Sequence, residues 1–329
     1  MKLRTEFQPS PSDLNLDHFH ALLFCGSCFA ENIGNKLGDR KFKSTINPFG
    51  ISYNPLSLFK LLSLSEAELQ SIKNSLEHRE SRFFHFDFHS DLDSLSENAA
   101  KEKLQTAFER QKEVLKKAEV IFISLGTAWV YRRKVNNKIV NNCHKVPASE
   151  FTKELLEVDT IVEAFHAMQA QLSKWYKKDF KFVFTVSPVR HLKDGFRENQ
   201  ISKSTLHLAT QKINQLYPNM HYFPAYELLL DDLRDYRFYT EDLVHPSAQA
   251  VEYIWQKFKA SYLSKPCLNL LSEIEQIQNG LSHKAFHPES EKHQEFLNKL
   301  LLKMDSLEKK HGLNYQVEKE KIKQQLLTQ

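Results

Sequence analysis

Four short apolar runs recur along this chain, and each leads into small or polar residues and then a helical stretch. They are ALLFC (21–25), VIFISL (120–125), FKFVFTV (180–186) and MHYF (220–223). Their hydrophobicity is continuous rather than alternating, as a strand requires when both faces of its sheet are covered, and that points to a parallel sheet. Between the runs the apolar spacing becomes helical. Phe29, Ile33 and Leu37 fall at i, i+4 and i+8, and IVEAFHAMQAQLSKWYKK (161–178) repeats the pattern. This alternation predicts a doubly wound α/β domain. Ligands of such sheets bind beyond the carboxyl ends of the strands, near the point where the winding reverses. Gly26-Ser27, Gly126-Thr127, Ser187-Pro188 and Pro224 all follow directly on the apolar runs, at those ends.

The α/β pattern occupies residues 1–262. Within it, residues 56–118 read as a mostly helical insertion between the second and third strand regions. Residues 263–329 are charged and helix-prone, broken by Asn279-Gly280 and Pro288. They are expected to form a helical C-terminal extension, a candidate arm for homo-oligomerisation, with a frayed polar tail after about residue 312. The net charge of +4 comes with interleaved acids and gives no basic field for nucleic acid. The first 20 residues contain no apolar segment of the secretory type, and the longest apolar runs are strand-length, short of the roughly 20 residues of a membrane span. A cytoplasmic location is expected. Four cysteines in 329 residues do not make a disulfide framework.

The stretch FCGSCFAENIGNKL (24–37) passes from strand to helix at Ser27. Serine is a preferred helix cap, but the unpaired N–H groups and positive dipole end of a helix also suit a nucleophile and its anion. A nucleophile needs a base and a group to orient that base. In YTEDLVHPSAQAVEYIW (239–255), Asp242 and His245 stand three apart in a loop, just before a helix opened by Pro246-Ser247. That spacing can return the carboxylate to the imidazole Nδ1 and leave Nε2 to take a proton.

The stretch GSCFAENIG (26–34) resembles the motif that names the GSCFA family, placed within the SGNH/GDSL hydrolase superfamily. NPFGISYNP (47–55), FHS (88–90), SLGTAWVY (124–131), NNCHKVP (141–147), SPVRHLKDGFRENQISKSTL (187–206) and DLRDYRFYTEDLVHPS (232–247) are similar to stretches typical of that family. The resemblance spans roughly residues 20–260. It implies a three-layer α/β/α, flavodoxin-like fold with Ser27 as nucleophile, His245 as base and Asp242 as its orienter. It also implies an oxyanion hole, for which the Ser27 N–H and Gly50 N–H are candidates, with Thr127, Trp129 or Asn142 as a third donor. Two departures stand out. The superfamily carries an aspartate between the glycine and the serine, whereas Gly26 is followed directly by Ser27. The superfamily's Gly-x-Asn is replaced by Gly126-Thr127-Ala128-Trp129, and one lost oxyanion donor typically costs about 10²–10³ in kcat. The function implied is a serine esterase or acyltransferase acting on an O-acyl group of a small molecule or glycan, an acetylated carbohydrate among them, with no cofactor or metal. The missing asparagine motivates an alternative, a weakened SGNH fold that binds a glycan or a protein.

Other residues carry chemistry of their own. Arg190, His191, Asn199 and Lys203 lie in a polar stretch that starts at a strand end, where they could favour a polar or anionic substrate. His144 either joins the pocket or ends a hairpin built around Asn136-Asn137. His85, Asp87 and His89 alternate with Phe84, Phe86 and Phe88, and on a strand they would share one face, a weak metal site or a half-exposed edge. By the family resemblance His89 lines the substrate pocket. Cys25 and Cys28 have redox spacing, but Cys25 belongs to the apolar strand. Cys143 and His144 do not complete a zinc ligand set.

Overall fold

The computed structural model describes residues 4–283 and 285–326. Strand β1 (Ala21–Gly26) runs into helix α1 (Cys28–Asp39) and returns as β2 (Lys43–Ile46). The insertion follows, with α2 (Pro55–Leu62), α3 (Glu66–Lys73), a hairpin of β3 (Glu77–Arg79) and β4 (Arg82–Phe84), and α4 (Glu97–Lys117). The chain resumes the sheet with β5 (Val120–Leu125) and leaves it for β6 (Trp129–Arg133), β7 (Ile139–Val140) and β8 (Phe151–Leu155). Then come α5 (Val158–Tyr176), β9 (Lys181–Val186), α6 (Phe196–Leu216), β10 (Met220–Tyr222), a single turn α7 (Ala225–Glu227) and α8 (Ala248–Tyr262).

Five strands form the central sheet in the order β2-β1-β5-β9-β10, and every pairing in it is parallel. Side chains alternate between its two faces, and each face is covered by helices. On one, Leu22, Phe24, Val120, Phe122 and Val183 pack with Ile33 of α1 and Trp255 and Phe258 of α8. Phe24 and Phe122 stack at 4.4 Å with their rings 3° from parallel. On the other, Leu23, Cys25, Ile121, Ile123, Phe182 and Phe184 meet Phe59 of α2, Phe165 of α5 and Leu206 of α6. This double coverage explains the continuous apolar runs.

The insertion is mostly helical, with one departure. Strand β4 ends at Phe84, and residues 85–89 turn instead of continuing extended. Phe84 and Phe86 enter one small core with Val140 and Phe151, whereas Phe88 enters another with Phe49 and Phe108. Two cores on different sides cannot be filled from one flat strand face. A three-stranded antiparallel sheet, β7-β6-β8, projects after β5. Its β6–β7 hairpin turns at Asn136-Asn137, where Asn137 has φ +58°.

Helices α9 (Lys265–Ser282), α10 (Glu291–His311) and α11 (Gln316–Lys323) complete the chain. They share a core of Ile274, Ile277, Leu297, Met304 and Ile322. They also grip the far end of α1. Arg40 pairs with Glu275 at 2.8 Å, Lys41 with Glu318 at 2.5 Å, and Gln278 donates to the Asp39 carbonyl. The polar tail is therefore not frayed over α11, and only residues 327–329 of it lie outside the described residues. No helix among the described residues is long and apolar enough to cross a membrane.

Candidate active site

The turn from β1 to α1 depends on Gly26. Its φ is +122°, and a Cβ there would lie 2.1 Å from the Ser124 carbonyl oxygen. Only glycine lets β1 and β5 approach so closely. The Gly26 N–H donates to Asn47 Oδ1 at 2.9 Å, and its carbonyl accepts from the Ser52 N–H at 3.1 Å. Ser27 then caps α1, its Oγ accepting from the Phe29 N–H at 3.2 Å. The same Oγ shares a 2.7 Å hydrogen bond with Ser124 Oγ, and the residue is fully buried.

Asp242 and His245 meet as their spacing allows. Asp242 Oδ2 lies 2.7 Å from His245 Nδ1. The other oxygen, Oδ1, accepts from the Thr240 hydroxyl at 2.6 Å and from the Val244 and His245 N–H groups at 2.8 and 3.0 Å. These hydrogen bonds, the Thr240 hydroxyl foremost, hold the Asp242 carboxyl well below the usual carboxylate range. The arrangement favours the tautomer with a proton on Nδ1. His245 Nε2 makes no hydrogen bond to any described residue. The loop is tied to the segment after β9, because the Arg190 N–H donates to the Val244 carbonyl at 3.2 Å and its guanidinium to the Leu243 carbonyl at 3.0 Å. Leu243 itself is held at φ +56°.

A cleft of about 530 Å³ opens beyond the carboxyl ends of the strands. Asp242, Val244 and His245 form one wall, Arg190 and His191 another, and Tyr53, Thr127, Trp129, Tyr131, Asn141 and Asp194 are among the remaining lining residues. His191 is fixed by Asn199, whose Oδ1 accepts the His191 N–H at 2.9 Å. Burial, reinforced by Lys203 and His245, pulls the His191 imidazole down to about 3, so the ring is neutral. Its Nε2 is sealed from solvent without a hydrogen-bond partner. Lys203 does not reach the cleft as a surface cation. It is 1% exposed, and its Nζ donates to the Gly126 and Ser187 carbonyls, both at 2.7 Å. Burial lowers it to about 7, with Cys28 acting in the opposite direction.

Several expected site residues serve other purposes. Ser27 makes no hydrogen bond with His245. Its N–H is donated to the Ser124 carbonyl at 3.0 Å, and that of Gly50 to the Asn47 carbonyl at 2.8 Å. Gly50 does not line the cleft and packs against His89. The Thr127 hydroxyl bonds Ser202 Oγ at 3.0 Å, and the Trp129 indole donates to the Glu198 carbonyl at 3.1 Å. Asn142 closes a local turn by accepting the His144 N–H at 2.9 Å. The Ser27 and Gly50 N–H groups and the Trp129 indole are thus each donated within the chain, whereas the Asn142 amide nitrogen makes no hydrogen bond to any described residue. His144 also lies outside the cleft. Its ring stacks on Phe84 at 4.4 Å and bonds Asp93 at 3.3 Å and the His85 carbonyl at 3.2 Å, anchoring the β4 turn to the loop after β7. His89 caps a short helical turn and pairs with Asp91 at 3.0 Å.

The metal candidates meet only as a pair, His85 Nδ1 lying 3.4 Å from Asp87 Oδ2. Asp87 pairs with Lys60 at 2.7 Å, and among the described residues no cluster of His, Cys, Asp and Glu could hold a metal ion. All four cysteines are free thiols. Cys25 is buried in the core, whereas Cys28 is partly exposed. Sequence reasoning missed Ser124, which occupies Ser27, and the cleft residues Tyr53 and Asn141. All three lie inside or beside stretches singled out for other residues.

Two family models match the chain. One, the GSCFA family, covers residues 21–258, and the other, the C-terminal domain of GSCFA domain proteins, covers residues 274–328. No curated protein matches it. The first match takes in β1 through most of α8, with the β1–α1 turn, the cleft and the Asp242–His245 loop inside it, and on that extent the chain belongs to the GSCFA family.

Proposed function

We propose that this protein is an acyl-transfer enzyme of the SGNH/GDSL type, an esterase or acyltransferase acting on an O-acyl group of a carbohydrate. The observation that carries this is the Asp242–His245 pair, a buttressed carboxylate on Nδ1 with Nε2 free at the cleft. Numbered along the central sheet alone, the strand order is 2-1-3-4-5, that of flavodoxin-like sheets. The winding reverses between β1 and β5, and the β1–α1 turn and Gly126 sit at that switch point.

In this reading His245 takes a proton from a nucleophile on the β1–α1 turn, which the family resemblance assigns to Ser27. Asp242 stabilises the imidazolium, and the proton passes to the departing alcohol. Water then completes hydrolysis, or a sugar hydroxyl completes transfer. Aromatic faces at Tyr53, Trp129 and Tyr131 beside polar Asn141, Arg190 and Asp194 suit a sugar, which offers both apolar ring faces and hydroxyls. The test is turnover of activated short-chain esters and acetylated oligosaccharides. His245→Ala is expected to lower kcat by about 10²–10⁴. Wild-type protein inert across the whole panel overturns the proposal.

One observation favours a second reading, a glycan- or protein-binding module. Three of the expected oxyanion donors, the Ser27 and Gly50 N–H groups and the Trp129 indole, are already donated inside the chain. Oligosaccharide binding without turnover, unchanged by His245→Ala, would establish that reading instead.

A further inference from the structure

The cleft is lined by two carboxylates, Asp194 and Asp242, and by two permanent cations, Arg190 and Lys193. The carboxylates already have partners. Asp242 accepts from the Thr240 hydroxyl and the loop N–H groups and faces His245 Nδ1. Asp194 pairs with Lys153 at 2.5 Å, and the same ammonium lies 4.4 Å from the centre of the Trp129 ring. Arg190 and Lys193, by contrast, form no ion pair with any described residue. The cleft therefore holds a surplus of positive charge on one wall, where low-dielectric surroundings focus its field.

Arg190 is not a loose surface cation. Its guanidinium donates one N–H to the Leu243 carbonyl at 3.0 Å and lies 5.5 Å from the ring centres of both Phe196 and Tyr239. Its backbone N–H is fixed in turn on the Val244 carbonyl at 3.2 Å. Phe196 is 68% exposed, and an apolar ring at so open a position gains by lying against a cation. A guanidinium offers five N–H donors in a planar fork. Apart from the one given to Leu243, none of these has an acceptor among the described residues. A fork held in place beforehand loses little freedom when it grips a ligand. A carboxylate is the flat partner it can meet with two parallel hydrogen bonds.

We propose that the O-acyl substrate is an acidic sugar and that Arg190, with Lys193 beside it, binds its carboxylate. The inference rests on the acyl-transfer reading above and deepens it. The ring faces of Tyr53, Trp129 and Tyr131 receive the sugar, and the arginine fork selects the sugars that carry a negative charge. Neither cleft carboxylate repels that charge strongly, because both are engaged with donors of their own. The anchoring guanidinium bonds the loop between Asp242 and His245, so recognition of the charge and placement of the base share one fixed point.

The test compares an O-acetylated methyl glucuronoside with its carboxyl methyl ester, two compounds that carry the same acetyl group and differ in charge. Acetate release and calorimetric binding are measured for both, at low salt and at about 0.5 M sodium chloride. The acid is expected to show a kcat/KM at least about 10-fold higher than the ester, through KM, with the gap narrowing in salt. Arg190→Gln keeps a donor for the Leu243 carbonyl and is expected to raise KM for the acid toward that of the ester. Lys193→Glu, at an exposed position of the same wall, should reduce the preference with the fold intact by circular dichroism. Equal turnover of acid and ester, or a preference untouched by both substitutions, overturns the carboxylate site and leaves acyl transfer standing. Tighter binding of the acid with no acetate released from either compound overturns acyl transfer and leaves the carboxylate site standing. Neither binding nor turnover of either compound overturns both.

Discussion

Replacing Lys203 by methionine tests whether a charge is buried beneath the site. In the folded protein burial lowers the Lys203 ammonium from 10.5 to about 7. The unfolded chain therefore holds this proton between those two values while the native state does not, so native stability rises with pH across that window. At 1.36 kcal/mol per unit, the shift implies that at pH 7 the buried group costs roughly 4 kcal/mol relative to a neutral amine. Moving to pH 9 recovers about 2 kcal/mol of that. Methionine fills similar space without a charge, but it leaves the Gly126 and Ser187 carbonyls without their donor. That costs about 1–3 kcal/mol for each. The two effects nearly offset at pH 7, where wild type and variant should have similar stability. At pH 9 wild type should be ahead by about 2 kcal/mol more than at pH 7. Urea unfolding followed by tryptophan fluorescence at pH 7, 8 and 9 reads this difference, and taking it between the two proteins cancels groups common to both. Curves that stay parallel from pH 7 to pH 9 would refute a buried, proton-shedding lysine.

Gly26→Ala places a methyl group 2.1 Å from the Ser124 carbonyl at φ +122°, so β1 must move from β5. A loss of at least about 3 kcal/mol is expected from the urea midpoint, and a change below about 0.5 kcal/mol would contradict the geometry. Met304→Ala empties a fully buried site among α9, α10 and α11 and should cost about 2–5 kcal/mol. Hydrogen exchange should report that loss across all three helices. Confinement to α10 would mean that they do not share one core.

What could be read from the sequence was whatever local pattern determines. Three of the apolar runs correspond to β1, β5 and β9 because strands covered on both faces must be apolar throughout, and the fourth, MHYF, corresponds to the half-buried edge strand β10. Strand β2, KSTI, has no such signature, since it is a half-exposed edge that borrows its place from β1. The alternation at 82–89 misleads because Phe86 and Phe88 serve separate cores, which only the three-dimensional path reveals. At the site, the Asp242–His245 contact is legible because it closes within one turn of chain. The confinement of Ser27 is not, because Ser124 comes from 97 residues away. Lys203 looks like a surface cation in SKSTL, and only the Gly126 and Ser187 carbonyls make its burial tolerable. His144 was ambiguous between pocket and hairpin, and Asp93 and Phe84, both distant in sequence, decide it.

The grip of the last helices on α1 has a mechanical consequence. Helix α1 is a rod of 12 residues, about 18 Å long. One tip carries Ser27 and Cys28, and the other is clamped through Asp39, Arg40 and Lys41. Loss of the Glu275 or Glu318 pairings would therefore loosen the same rod whose first turn Ser27 caps. The tail of the chain thereby steadies its first helix.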